Sequence, residues 1–232
     1  MKKNGFTFLQ DITHLGMQHN PRRCGFTLAE VLITLLAIGI VAALTVPTLI
    51  SNSQKQSTVE KLKKEYTSLS QAVKQSEIDN GSVSTWDWGS DQATILASFN
   101  TYWAPYLKIL KSCQITTDCG YSNNLMALDK STSIGPVSPT VRTSVILADG
   151  TILIVLAPEQ YIIIDINGSK LPNVYGKDVF WFILDPTKEF MPYGYNAGSS
   201  INTNCAKTAS GQYCAAKIMQ DGWQINSDYP WP

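Results

Sequence analysis

Apolar residues are distributed unevenly along the chain, and their spacing changes character three times. From Phe26 to Ile50 they are nearly continuous, FTLAEVLITLLAIGIVAALTVPTLI, a run of 25 residues with no lysine or arginine and one acid, Glu30. At ~1.5 Å per residue such a helix extends about 38 Å, more than the roughly 30 Å hydrocarbon core of a bilayer. Eight polar residues follow, Ser51 to Thr58, and the apolar positions then return one-sidedly as Val59, Leu62, Tyr66, Leu69 and Val73. Steps of three and four place these on one helix face, and Asp79-Asn80-Gly81 reads as the stop. If the helix runs unbroken from Phe26 to Ile78 it reaches roughly 80 Å. Pro47 removes a donor and crowds the preceding turn, so a kink or a locally opened stretch is expected between Gly39 and Thr48.

Beyond residue 80 the period shortens. Ser90 to Phe99 predicts a short capped helix, with Trp103 to Leu110 continuing it and Pro105 as punctuation. The Ser-, Thr-, Asn- and Gly-rich stretch 113–140 predicts a loop. Val141–Leu147, Thr151–Leu156, Tyr161–Ile166 and Asp178–Leu184 are rich in β-branched and aromatic residues and predict antiparallel strands, with Asp149-Gly150 as a hairpin turn. The expected class is α+β: one long helix, its first half transmembrane, packed on an antiparallel sheet. The expected segments are 1–25, 26–50, 51–80 as the amphipathic continuation, and 81–232 as one globular domain. About 150 residues suffice for one core there.

Glu30 changes the reading of the apolar run. A carboxylate within a bilayer costs about 2.5 to 3.5 kcal/mol and is normally paired or functional. Its surroundings are specific: Asn20-Pro21-Arg22-Arg23-Cys24 precede, and Gly25 to Leu36 reads G-F-T-L-A-E-V-L-I-T-L-L. This stretch resembles the cleavage and methylation motif of type IV prepilins and type II secretion pseudopilins. The resemblance implies a pilin-like fold, cleavage by prepilin peptidase after Gly25, N-methylation of Phe26, and a part for Glu30 in assembly. Gly39 and Pro47 stand where such helices loosen. It also implies other pilin or pseudopilin subunits as partners, and an inner-membrane, single-pass location with a cytoplasmic N-terminus and an extracytoplasmic C-terminal domain, which a cell-surface filament could display. A leader of 25 residues is long, and Met17 offers a nine-residue alternative. From the residues alone, Glu30 could instead stabilise the first turn of its own helix by about 0.3 to 1 kcal/mol.

Composition narrows the function classes. The chain carries 18 basic and 18 acidic residues, and removal of residues 1–25 leaves 14 and 17. A slightly acidic product offers no basic surface for nucleic acid. Both histidines, His14 and His19, precede the proposed cut, so Ser-His-Asp, Cys-His and His-zinc schemes would have no imidazole. No cofactor is expected. Four cysteines would remain, Cys113, Cys119, Cys205 and Cys214; three connectivities are possible, and proximity in sequence suggests two local loops. Disulfides imply an oxidising compartment. They also orient the span, because four basic residues before it and four lysines after it leave the positive-inside count tied.

Three further patterns remain. Asp165, Asn167 and Asp178 gather oxygen side chains around a turn in a way that could hold calcium, although Asn, Gly and Asp are also ordinary hairpin residues. Tyr213, Trp223, Tyr229 and Trp231 crowd the C-terminus, as packing against the sheet or as a binding patch. Two other classes compete with a filament subunit: a membrane-tethered binding or enzymatic ectodomain, and a secreted domain cut after Val41-Ala42-Ala43.

Overall fold

The computed structural model describes residues 25–113, 116–121, 125–130, 133–134, 142–157, 160–187 and 189–231. The proposed leader up to residue 24, with Met17 and Cys24, and about half of the 113–140 loop lie outside these. The described residues form an α+β protein, and the chain divides into two compact units, one ending at Thr48 and one running from Leu49.

Helix α1 spans Leu28–Asn80 and includes Pro47. It is helical without interruption from Gly39 to Thr48. The hydroxyls of Thr45 and Thr48 donate to the carbonyls of Val41 and Thr45, at 2.9 and 2.8 Å. Gly81 ends the helix at φ +81°, its amide donating to the Glu77 carbonyl. That left-handed position suits glycine, which lacks the Cβ that would clash there.

In the second unit, α1 packs on a six-stranded antiparallel sheet. The strands are β1 (Ile109–Cys113), β4 (Arg142–Leu147), β5 (Ile152–Leu156), β6 (Tyr161–Asp165), β7 (Val179–Asp185) and β8 (Glu189–Pro192), ordered β1-β4-β5-β6-β7-β8. Two short strands, β2 (Leu125–Met126) and β3 (Ser133–Ile134), pair separately. The period-2 alternation of strands sorts the core. Leu153, Val155, Ile162, Ile164, Phe180 and Phe182 pack in one cluster with Leu62, Leu69 and Val73 of α1. Their neighbours Ile152, Ile154, Ile163, Val179 and Trp181 pack in another with Tyr121, Leu125, Tyr175 and the half-cystines Cys113 and Cys119. A sheet covered on both faces explains why β5 to β7 read as continuous apolar runs rather than alternating ones.

The predicted strands emerge within one or two residues of their expected bounds, and Gly150 turns the β4–β5 hairpin at φ +90°. Several elements differ from expectation, β2 and β3 within the predicted 113–140 loop among them. Trp103 to Leu110 does not prolong the preceding helix: α2 (Gln92–Tyr102) stops, one 3-10 turn covers Ala104–Tyr106, and β1 begins at Ile109. Pro105 cannot donate to a helical ladder, which favours that break. Strand β8 was hidden by its length, and α3 (Ser200–Asn204) and α4 (Cys214–Gln220) by their lack of apolar periodicity.

Helix α2 begins with a reciprocal cap. The Asp91 carboxylate accepts from the amides of Ala93 and Thr94, each at 2.9 Å, and Thr94 Oγ1 accepts from the Asp91 amide at 3.1 Å. Gly89 makes the approach possible: at φ +71°, a Cβ there would lie 2.6 Å from the Thr94 backbone. Gly89→Ala is expected to lower stability by about 2 kcal/mol, from left-handed strain plus overpacking against fixed backbone, measurable by denaturant unfolding of the detergent-solubilised protein.

The C-terminal aromatics pack rather than protrude. Tyr229 is buried, Trp223 lies tilted against Tyr66 of α1 at 5.2 Å between centroids, and Tyr213 meets Tyr193 edge-on at 5.1 Å. The buried Lys217 of α4 binds this tail, its Nζ donating to Asn202 Oδ1 at 3.1 Å and Asp228 Oδ2 at 2.6 Å and lying 3.4 Å from Asp221. Cys205–Cys214 joins α3 to α4, and Cys113–Cys119 closes the loop after β1.

Candidate functional site

The first unit presents the features marked in the sequence. Gly25 and Phe26 precede α1, and the Phe26 side chain is 88% exposed. Leu28, Leu32, Ile33, Leu35, Leu36, Ile38 and Leu44 are likewise exposed. An 18-residue window of the helix reaches a mean hydropathy of 2.4 with none of it buried. An apolar rod that the described residues leave uncovered is suited to lipid or to other apolar helices, not to water.

Glu30 is engaged within its own turn. Its Oε2 accepts from the Thr27 amide and the Thr27 hydroxyl, each at 2.8 Å, while the Glu30 amide donates to Thr27 Oγ1 at 3.2 Å. This is a capping box, T-x-x-E, satisfying donors that the helix start leaves unpaired. The pattern is legible in Thr27-Leu-Ala-Glu30, and the sequence reading did not use it. Any partner for Glu30 in an assembly competes with, or adds to, this local arrangement. Gly39 and Pro47 lie further along the same helix, and no Cβ contact constrains Gly39.

The second group of predicted residues comes together in the connection from β6 to β7. The Tyr121 hydroxyl donates to Asp165 Oδ2 at 2.8 Å, and the Asn167 amide to Asp165 Oδ1 at 3.2 Å. Asp178 accepts from the backbone amides of Asn173 and Val174, at 3.0 and 2.6 Å, and from Asn167 Nδ2 at 3.2 Å. Burial pushes Asp165 up to about 8, with the Tyr121 hydrogen bond opposing and the Asp178 charge adding. Burial raises Asp178 against its amide donors. A calcium site needs six to eight oxygens. Among the described residues no three His, Cys, Asp or Glu gather to hold a metal, and these carboxylates hold the turn through protein donors.

One buried acid was missed. Glu65 lies in the buried row Leu62, Glu65, Leu69, Ala72, Ser76 of α1 and is 3% exposed. Lys64 Nζ sits 3.3 Å from its Oε1 and also bonds Asp149 at the β4–β5 turn. Burial, reinforced by Asp149, pushes Glu65 up to about 7. The Lys64 and Glu65 hydrogen bonds hold Asp149 below the usual carboxylate range although burial opposes this. Both acids lie against the one Lys64 ammonium, an internal brace between helix and hairpin. Its signal was the i, i+3, i+4 row, in which position 65 is central and Tyr66 lies to one side.

Two family models match this chain. One, the prokaryotic N-terminal methylation motif, covers residues 20–46, and the other, a family of unknown function (DUF6613), covers residues 48–232. No curated protein and no solved structure matches.

Proposed function

Because the chain belongs to the family of unknown function (DUF6613), matched over residues 48–232, and carries the N-terminal methylation motif of prepilin-type proteins over 20–46, we propose that it is a structural filament subunit of a type IV pilus or secretion pseudopilus. The motif supports a type IV pilin-like or pseudopilin protein, structural rather than catalytic. The observation that carries the finer reading is the combination of an uncovered apolar helix with one acid in its first turn. In this reading residues 1–25 are a leader removed by prepilin peptidase, Phe26 is methylated, and residues 26–50 hold the subunit in the inner membrane with its N-terminus cytoplasmic. Residues 51–80 continue the helix into the extracytoplasmic domain, 81–232. Subunits associate through 26–50, where close helix packing supplies affinity and Glu30 aligns each chain by meeting a neighbour's Phe26 ammonium. The two disulfides support an oxidising location for the domain.

Mass spectrometry of the mature N-terminus tests this. The expected result is a peptide beginning at methylated Phe26. A terminus at Leu44 would instead indicate secretion by a conventional signal peptidase, and an intact Met1 or Met17 terminus would overturn the processing step.

A further inference from the structure

We propose that a cleft of about 470 Å³ between α1 and the β6–β7 connection binds the headgroup of an anionic phospholipid. It rests on the reading of residues 26–50 as a bilayer segment. One wall is the exposed face of α1 carrying Ser53, Ser57 and Lys61; the other carries Leu171 and Lys177, with Trp231 from the C-terminus. Hydroxyls and ammonium groups are donors suited to a phosphodiester. Leu171 is 67% exposed, an apolar lip with no protein cover, and Lys177 Nζ sits 5.8 Å above the Trp231 ring. Asp178 also lines the cleft, but it is 4% exposed and its oxygens accept from the Asn173 and Val174 amides and Asn167 Nδ2, so the charge at the surface is that of the lysines.

Position along the chain selects lipid over a soluble anion. Ser53 follows Ile50 by three residues, about 4.5 Å along a helix, and Ser57 by about 10 Å. The headgroup layer of one leaflet is roughly 5 to 7 Å thick, so Ser53 falls within it, while Ser57 and Lys61, about 10 and 16 Å beyond Ile50, stand above it with side chains that lean back toward the helix N-terminus. Tryptophan and lysine are the residues that anchor at this level. Each lysine at an anionic surface is worth about a fivefold preference.

The test uses the full-length protein in vesicles of phosphatidylcholine, with or without phosphatidylglycerol, in which the same small fraction of lipid is spin-labelled at the headgroup, on phosphatidylcholine in the first and on phosphatidylglycerol in the second. The contribution of Trp231 is the difference in fluorescence quenching between wild type and Trp231→Phe. It is expected to be several-fold larger in the phosphatidylglycerol vesicles, to fall with added salt, and to lose its lipid dependence in Lys61→Gln/Lys177→Gln, whose thermal unfolding serves as the folding control. Equal quenching in both vesicles, or a lipid dependence untouched by the double substitution, overturns the proposal. Protein that keeps its vesicle association through an alkaline carbonate wash yet shows equal quenching overturns the cleft alone. Protein released by the wash overturns the bilayer segment and the cleft together.

Discussion

Glu30→Leu is expected to insert at least as well as the native chain and to yield no sheared filaments. Leucine removes a membrane penalty of about 2.5 to 3.5 kcal/mol, so loss of filaments could not be blamed on failed insertion. It also removes the capping box, at a cost of about 1 kcal/mol to the first turn, and the two roles must be separated. Glu30→Gln keeps an oxygen for the Thr27 amide and hydroxyl but cannot meet a neighbour's ammonium as a charge. Thr27→Val keeps the carboxylate and its bond to the Thr27 amide but loses both bonds through the hydroxyl. If alignment between subunits is the purpose, Glu30→Gln fails to assemble and Thr27→Val assembles. If the cap is the purpose, the order reverses. Full assembly by Glu30→Leu would overturn the aligning role of Glu30, whereas a native chain that yields no sheared filaments would sink the filament reading and leave 26–50 as a tether, scored in each case by shearing and immunoblot.

Stability of the second unit is expected to fall as pH rises from about 5 to about 8, the opposite of the usual acid sensitivity. Glu65 has its folded pKa raised from 4.5 to about 7. A raised acid binds more protons in the folded than in the unfolded state, so its contribution is complete below about 4.5 and is lost as pH rises through about 7. The shift corresponds to about 3 kcal/mol. Asp165, raised to about 8, acts in the same sense. Asp149 acts in the other: its lowered pKa contributes above its unfolded value and is lost below it, which sets the acid side of an optimum near pH 4 to 5. Glu65→Gln mimics the protonated acid. It is expected to unfold within about 1 kcal/mol of wild type at pH 5 and to be more stable by about 3 kcal/mol at pH 8. Parallel pH profiles for the two proteins, measured by urea unfolding, would refute the raised Glu65.

The sequence made the long helix, the hairpin strands and the marked N-terminus legible because each rests on local repetition: continuous apolarity, period 2, or a motif. What it hid depended on partners distant along the chain. Glu65 reads as a surface acid until Asp149 and the sheet close over it. Strand β1, with Leu110 exposed and Lys111 and Ser112 between Ile109 and Cys113, has no alternation of its own and exists because β4 offers an edge. Strand β8 ends in Pro192, tolerated because β8 is the outermost strand. At the candidate site the individual residues were visible, but the coupling of Thr27 to Glu30 was obscured by attention to the bilayer, which made a carboxylate look unsatisfied when one turn of backbone already supplied donors.

That coupling bears on maturation. Thr27 and Glu30 both follow the Gly25–Phe26 bond, so the proposed cut would leave both partners of the hydrogen bonds that start the helix on one product. Cleavage would create a terminal amine next to a turn whose geometry is already set. A chain synthesised to begin at Phe26 would then start its helix as the processed one does, and the peptidase would act as a switch of charge rather than of conformation.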